Sequence, residues 1–309
     1  MRNAFADELT MLANSDERVV LLSGDIGNRL FDTFKSVADG RFYNCGIAEA
    51  NMMGVAAGMA LSGLRPFVYT ITPFTTTRCF EQIRVDVCYH KAPVVIVGTG
   101  SGLSYAELGA THHSLEDLAI MRTLPGMNIY APCDTTELRL IMREVMQDNA
   151  PAYIRIGKKG EPNIHSSPPA LKRGKAIVVR PGEQVALLAV GNMVAETLQA
   201  AEFLARQGVA AEVVSFHTVK PLDAEYLAQA RERFSLLVTV EEHSRIGGFG
   251  SAVGEWSVAE DSRVPLLSFG TADEFMHEVG HQAYARKRYG LTAEHIAAQV
   301  LSRLSQQQS

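Results

Sequence analysis

One carboxylate stands out for its position. Glu49 follows a short apolar segment, residues 42–44, and is surrounded by small residues: Gly46, Ala48, Ala50, Gly54 and Ala56. That is where a strand hands over to a helix, and in an open α/β sheet ligands bind at such handovers. A glutamate in the first turn of a helix is by itself usually a favourable partner for the helix dipole. Here the small neighbours leave little cover, so a flat ligand can come close. A partly desolvated carboxylate at such a place could share a proton with a ring nitrogen through a charge-assisted hydrogen bond.

Two further segments carry chemistry. Residues 71–78 (Ile-Thr-Pro-Phe-Thr-Thr-Thr-Arg) offer an apolar wall, several hydroxyls and a cation. Taken alone they read as a capped loop before a helix, because threonine is a good N-cap. His112 and His113 follow a loop rich in Gly and Ser, residues 98–104. Loop histidines are candidate acid–base or substrate-binding groups. No third ligand stands at useful spacing, so no metal site is expected at these histidines. Cys45, Cys79, Cys88 and Cys133 show no C-x-x-C spacing and read as reduced thiols of a cytoplasmic protein. The glycines match neither a dinucleotide fingerprint nor a P-loop, and Ser104 lacks the context of a hydrolase nucleophile.

The elements that must position these groups alternate. Helical periodicity over residues 2–14 puts Phe5, Leu9 and Leu12 on one face. Strands are predicted at 19–22, 67–70, 94–97, 127–130 and 152–155, with helices at 48–62, 77–89 and 135–147. Gly54 and Gly58 fall on one face of the second helix, where another element could pack closely. Residues 158–175 are rich in Pro, Ser and Gly and read as a linker. A second alternation then runs to a closing helix at 293–304. The expected fold is α/β, with two doubly wound domains at 1–165 and 176–309.

Composition narrows the class. The 309 residues carry a net charge of −5, with 47% hydrophobic and 20% charged residues. That balance is ordinary for a globular protein. No basic stripe suits nucleic acid, no segment is apolar and long enough for a membrane span, and the first residues lack the apolar core of a signal peptide.

The ordered motifs resemble the transketolase family. They are Gly46-Ile47-Ala48-Glu49, Phe74 with residues 78–84 (Arg-Cys-Phe-Glu-Gln-Ile-Arg), Thr111-His112, Leu124-Pro125-Gly126-Met127 and Ala131-Pro132-Cys133-Asp134. Together they resemble its pyrimidine-binding domain. Residues 216–223, 241–253 and 289–292 resemble its C-terminal domain. The resemblance implies that Glu49 hydrogen-bonds the aminopyrimidine ring of thiamine diphosphate and is catalytic. Phe74 packs against that ring, while Asp25, Ile71 and Arg78 stand at cofactor-binding positions. Ile71 and Thr77 replace aromatic residues found in other members. His112 faces the sugar and is also catalytic, and Arg2, Arg29 and Lys158 meet the substrate's anionic group.

The departures bear on specificity. Lys158 replaces an arginine and gives a point charge in place of a planar fork. Leu108 stands where an aspartate usually reads a sugar hydroxyl, and Gly100 where a histidine often does. The resemblance therefore implies an atypical or modified anionic sugar. It also implies a missing half. The family's diphosphate and Mg²⁺ site is a Gly-Asp-Gly stretch followed by Asn, and residues 24–28 are too short for it. The expected protein is the C-terminal subunit of a split transketolase, transferring a two-carbon ketol unit between sugar phosphates. An N-terminal subunit would hold the Mg²⁺, and homodimerisation within a heterotetramer is expected. The rivals are a beta-type chain of a 2-oxoacid dehydrogenase, a deoxyxylulose phosphate synthase-like enzyme, and a non-catalytic regulatory subunit.

Overall fold

The computed structural model describes residues 1–307. The first six strands are β1 (Val19–Ser23), β2 (Phe42–Asn44), β3 (Arg65–Ile71), β4 (Val95–Thr99), β5 (Asn128–Tyr130) and β6 (Ala152–Ile156). The next six are β7 (Ile177–Arg180), β8 (Val185–Ala189), β9 (Ala211–Ser215), β10 (Thr218–Lys220), β11 (Leu236–Ser244) and β12 (Leu266–Thr271). They form two sheets, ordered β10-β5-β6-β4-β3-β1-β2 and β12-β11-β8-β9-β7. All pairs are parallel except β10 on β5 and β7 on β9.

Every residue of β1, β4, β6, β8 and β9 is buried. Such continuous apolar runs are what a parallel sheet covered on both faces requires. Alternate side chains then enter different cores. Val20, Leu22, Val68 and Ile96 pack with Met52 and Met53 on one face. Leu21, Phe67, Tyr69 and Val97 pack with Phe5 and Leu9 on the other. The first of these cores continues into the second sheet through Ala186, Leu188, Val214, Phe216 and Phe249.

Each sheet has a place where neighbouring strands send their following connections to opposite sides. From β1 the chain lays β2 on one side and β3 on the other. The loops after β1 and β3 therefore diverge and leave a crevice at their carboxyl ends. In the second sheet the equivalent place lies between β8 and β11, since β9 is on the far side of β8.

Polar contacts lock the two units. Arg155 donates through Nε to Asp117 (2.7 Å) and through Nη2 to the carbonyls of Ser114 (3.2 Å) and Glu242 (2.8 Å). Tyr153 donates its hydroxyl to the same Asp117 oxygen at 2.6 Å. The Glu242 carboxylate accepts the Leu103 N–H at 2.8 Å and pairs with Arg286.

Several local expectations are revised. The helix expected over 77–89 is a 3₁₀ turn (Thr77–Cys79), a short α segment (Phe80–Gln82) and a π-type segment (Ile83–Tyr89). Thr76, at φ −111° and ψ −80°, breaks the path before it starts. Strand β10 was not expected: it is three residues long, too short for a periodic signal. It leaves the second unit and adds an edge strand to the first sheet. Helices Asp32–Val37 and Gln282–Arg288 were also not anticipated. Close packing at Gly58 is not made within the chain, because a Cβ there would meet nothing within 4 Å.

Candidate active site

Glu49 is the first residue of helix Glu49–Leu61, which follows β2. Its side chain is only 2% exposed. Arg78 Nη1 donates to both carboxylate oxygens, each at 2.9 Å. The pair is lopsided, because the Arg78 side chain is 48% exposed. Its guanidinium also lies over the Phe74 ring, 4.2 Å from the centroid. Phe74 is held by the short helix Thr72–Thr75 directly after β3, where Thr75 and Thr76 hydroxyls donate back to the Thr72 carbonyl. Ile71, the last residue of β3, is half-buried beside it.

His112 completes this group. Its ring meets Phe74 edge-on at 5.3 Å and Tyr105 at 6.2 Å. Thr111 Oγ1 sits 3.0 Å from His112 Nδ1. Burial pushes the His112 imidazole below its ordinary value, and His113 and Arg78 push it the same way. A neutral ring that can accept a proton is the result. A cleft of about 650 Å³ opens beside these residues, lined by Pro73, Phe74, Thr77, Arg78, Thr111 and His113. Glu49 does not line this cleft, but its partner Arg78 does.

Two of the three residues expected at the substrate's anionic group, Lys158 and Arg2, lie around an unexpected aromatic ring. Lys158, just after β6, places Nζ 4.5 Å from the centroid of Tyr105. Arg2, at the start of the first helix, donates through Nε to the Tyr69 hydroxyl at 3.2 Å and is also close to Tyr105. Glu107 pairs with Lys158 and offsets its charge. Tyr69, Tyr105 and Glu107 were missed from sequence. The only signal was that Tyr105 and Glu107 flank the already noted Leu108, which is exposed. Gly100 now has a physical reason: its φ is +74°, and a Cβ there would come within 1.8 Å of the Tyr105 ring. Tyr105 takes the room that a larger side chain at 100 would need.

Asp25 and Arg29 stand on the loop after β1. Asp25 adopts φ +53° and accepts from the Asn44 amide at 3.0 Å. Both are exposed, and among the described residues no side-chain contact brings Arg29 to Arg2 or Lys158. The structure thus gathers Glu49, Phe74, Arg78 and His112 into one cluster, and Arg2 and Lys158 into an adjoining one.

The donor set fits the aminopyrimidine end of thiamine diphosphate: a buried acceptor at Glu49 beside the Phe74 face. It does not offer a metal-chelating set for the diphosphate end. Among the described residues the one group of three converging ligand-type side chains is Cys133, Glu137 and His165, none of which belongs to this cluster.

The two domains of the chain match those of known proteins. Residues 1–161 match the family model of the transketolase pyrimidine-binding domain, and residues 174–296 match that of the transketolase C-terminal domain. A 6-deoxy-6-sulfo-D-fructose transketolase subunit from Clostridium sp. (strain MSTE9) is 40% identical, over 96% of this chain and 92% of that protein. A subunit of an apulose-4-phosphate transketolase from Phocaeicola vulgatus is 36% identical, over 97% of this chain and 96% of its own length. A solved split-gene transketolase, described as an inactive β4 tetramer, superposes with a TM-score of 0.91 at 37% identity, covering 98% of each chain. No helix among the described residues is long and apolar enough to cross a membrane. The chain therefore belongs to the transketolase family, and carries its pyrimidine-binding and C-terminal domains in the manner of a split-gene subunit.

Proposed function

We propose that this chain transfers a two-carbon ketol unit between anionic sugars as the C-terminal subunit of a cytoplasmic heterotetramer. Thiamine diphosphate would sit between it and an N-terminal subunit that supplies the Mg²⁺ and diphosphate ligands. The observation that carries the reading is Glu49: a buried carboxylate, at a helix start beside the sheet's crevice, paired with a half-exposed arginine. When bound, the cofactor supplies a carbon nucleophile and an electron sink for carbon–carbon cleavage. This chain's part is to bind and orient. Glu49 would accept a hydrogen bond from a ring nitrogen of the cofactor, Phe74 would pack against that ring, and Asp25 and Ile71 would border it. His112, neutral and half-buried, is placed to hold or move a proton at a sugar hydroxyl.

The need for a partner is supported by the related β4 tetramer, which is described as inactive. The substrate reading rests on Arg2 and Lys158, which put two cations around Tyr105, with Arg29 on the loop nearby in sequence to Asp25. Leu108 and Gly100 supply no hydroxyl-reading group, which suits a modified sugar. The two relatives agree: one is a 6-deoxy-6-sulfo-D-fructose transketolase subunit and the other an apulose-4-phosphate transketolase subunit.

The test is reconstitution. The chain is mixed with a separately expressed diphosphate-domain subunit, thiamine diphosphate and Mg²⁺, and ketol transfer is followed with phosphorylated and sulfonated ketoses. Transfer in the mixture and in neither subunit alone is expected. A stable complex that decarboxylates a 2-oxoacid but transfers no ketol unit would overturn the proposal.

A further inference from the structure

A second cluster lies at the other end of the first sheet. Cys133 follows β5, Glu137 lies in helix Thr135–Val145, and His165 belongs to the segment joining the two units. Cys133 Sγ, a Glu137 carboxylate oxygen and His165 Nε2 all lie within 4.8 Å of one another. His165 Nε2 is 3.0 Å from Glu137 Oε1 and 3.8 Å from Cys133 Sγ. β5 is five strand positions from β2 in the sheet order, so roughly 24 Å separates this cluster from the strand that leads to Glu49.

The cluster is built, not incidental to the surface. Cys133 and Glu137 are buried, and the His165 side chain is 9% exposed. Asp134 fixes the surrounding backbone: Oδ1 accepts the Glu137 N–H at 2.9 Å, and Oδ2 accepts the N–H groups of Ile164 (2.8 Å) and His165 (3.0 Å). Glu137 Oε2 is held by the Cys133 N–H at 2.7 Å, which leaves Oε1 facing His165. Ordinary hydrogen bonding accounts for Glu137 and His165 but not for their neighbour His217. That ring is fully buried, a Lys175 backbone group faces it without a hydrogen bond of proper geometry, and Glu137 and His165 are among the groups whose charge it feels. Ser215 faces the Cys133 sulfur, also without a hydrogen bond of proper geometry. Three ligand-type side chains of this identity, buried and fixed from behind by Asp134, are a donor set suited to a thiolate–imidazole metal site.

We propose that Cys133, Glu137 and His165 bind one zinc-class divalent ion, with a water at the fourth tetrahedral position. Ligand identity selects the ion: thiolate and imidazole suit Zn²⁺, whereas Mg²⁺ demands an octahedral set of oxygens. The spacing is right as well. With Zn–S near 2.3 Å and Zn–N near 2.0 Å, tetrahedral ligand atoms stand roughly 3.3–3.8 Å apart. Binding replaces the His165–Glu137 hydrogen bond with two metal bonds and releases the Cys133 thiol proton to solvent. One thiolate and one carboxylate then neutralise the two charges of the ion in a buried place. The ion would pin the segment that joins the units to the end of β5 and the start of the helix that follows it. It is a structural staple with no part in ketol transfer.

The experiment uses the full untagged chain, stripped with a chelator and then titrated with Zn²⁺ or Co²⁺. About one metal per chain by elemental analysis is expected, with a thiolate-to-cobalt charge-transfer band in the near ultraviolet. Cys133→Ser should abolish that band, and His165→Gln should weaken metal binding at least tenfold. His165 lies outside the strands and helices, so its variant keeps the fold, which circular dichroism verifies. Failure of the native chain to retain either metal at micromolar concentration would overturn the proposal. Equal binding by both variants would do the same, by placing the metal elsewhere.

Discussion

The two sheets share a winding pattern, yet only one leaves its crevice for a ligand. In the first, Glu49 stands at a helix start with a partner, Arg78, whose side chain is half-exposed. In the second, the corresponding crevice is filled by the chain itself. The Glu241 carboxylate, fully buried, accepts the N–H groups of Phe249 and Gly250 at 2.7 Å each, at the start of helix Phe249–Ala259. A helix N-terminus is a ready anion site, and here an internal carboxylate occupies it. Gly248 permits this approach, since a Cβ there would lie 2.2 Å from Glu241 Oε2. Two buried glutamates at two helix starts therefore differ in what holds them. Fixed backbone donors hold Glu241, whereas Glu49 is held by a side-chain cation that is half-exposed, which suits the role proposed for it.

The contrast breaks most visibly at Glu49. Glu49→Gln should lower ketol transfer in the reconstituted complex by about 10²–10⁴-fold. Its effect on stability should stay within about 1 kcal/mol, because the arginine left behind can hydrate. Transfer that survives at more than a tenth of the native rate would remove Glu49 from the chemistry. Glu241→Ala should do the opposite. Leaving two buried N–H groups unpaired costs about 2–5 kcal/mol of stability, read by urea unfolding. An unchanged midpoint would show that Glu241 is not the internal cap described above.

Smaller effects sharpen the comparison on the ligand side. Glu107 offsets Lys158, so Glu107→Gln should lower KM for an anionic ketose by roughly 2–5-fold with kcat unchanged, the size of a partly exposed ion pair. A raised KM would mean that Glu107 itself contacts the sugar. The smallest expected change is in pH dependence. The folded His112 imidazole titrates below the ordinary value of 6.5, so the acid limb it controls should fall below pH 6.5. The unfolded chain binds that proton more readily, so His112 also makes stability rise with pH up to about 6.5 and lets it decline as pH falls. Arg78→Ala removes one of the repelling cations and should move the limb upward by less than about one unit. A downward move would contradict the assignment.

The strand ends that carry the candidate site were legible, and the roles expected of the residues on them came from the family resemblance. Glu49 after β2, Phe74 after β3 and Lys158 after β6 each follow an apolar run with a recognisable boundary. The residues that escaped notice have no such signal. Tyr105 and Glu107 sit in an irregular loop, and their importance comes from what Lys158 and Arg2 reach across space. The linker read at 158–175 was a compositional judgement, yet its His165 meets Cys133 and Glu137, 32 and 28 residues away.

By itself the sequence determined the alternation of apolar strands and amphipathic helices, because hydrophobic periodicity is local and needs no partner to be read. It also determined which carboxylate stands at the first handover, and the family to which the ordered motifs belong. Only the tertiary structure decided that Arg78 pairs with Glu49, that β10 crosses to the first sheet, and that Glu241 closes the second crevice. Those outcomes depend on contacts between residues far apart in the chain, and the free energy that selects them arises only when the sheets and their cores pack together.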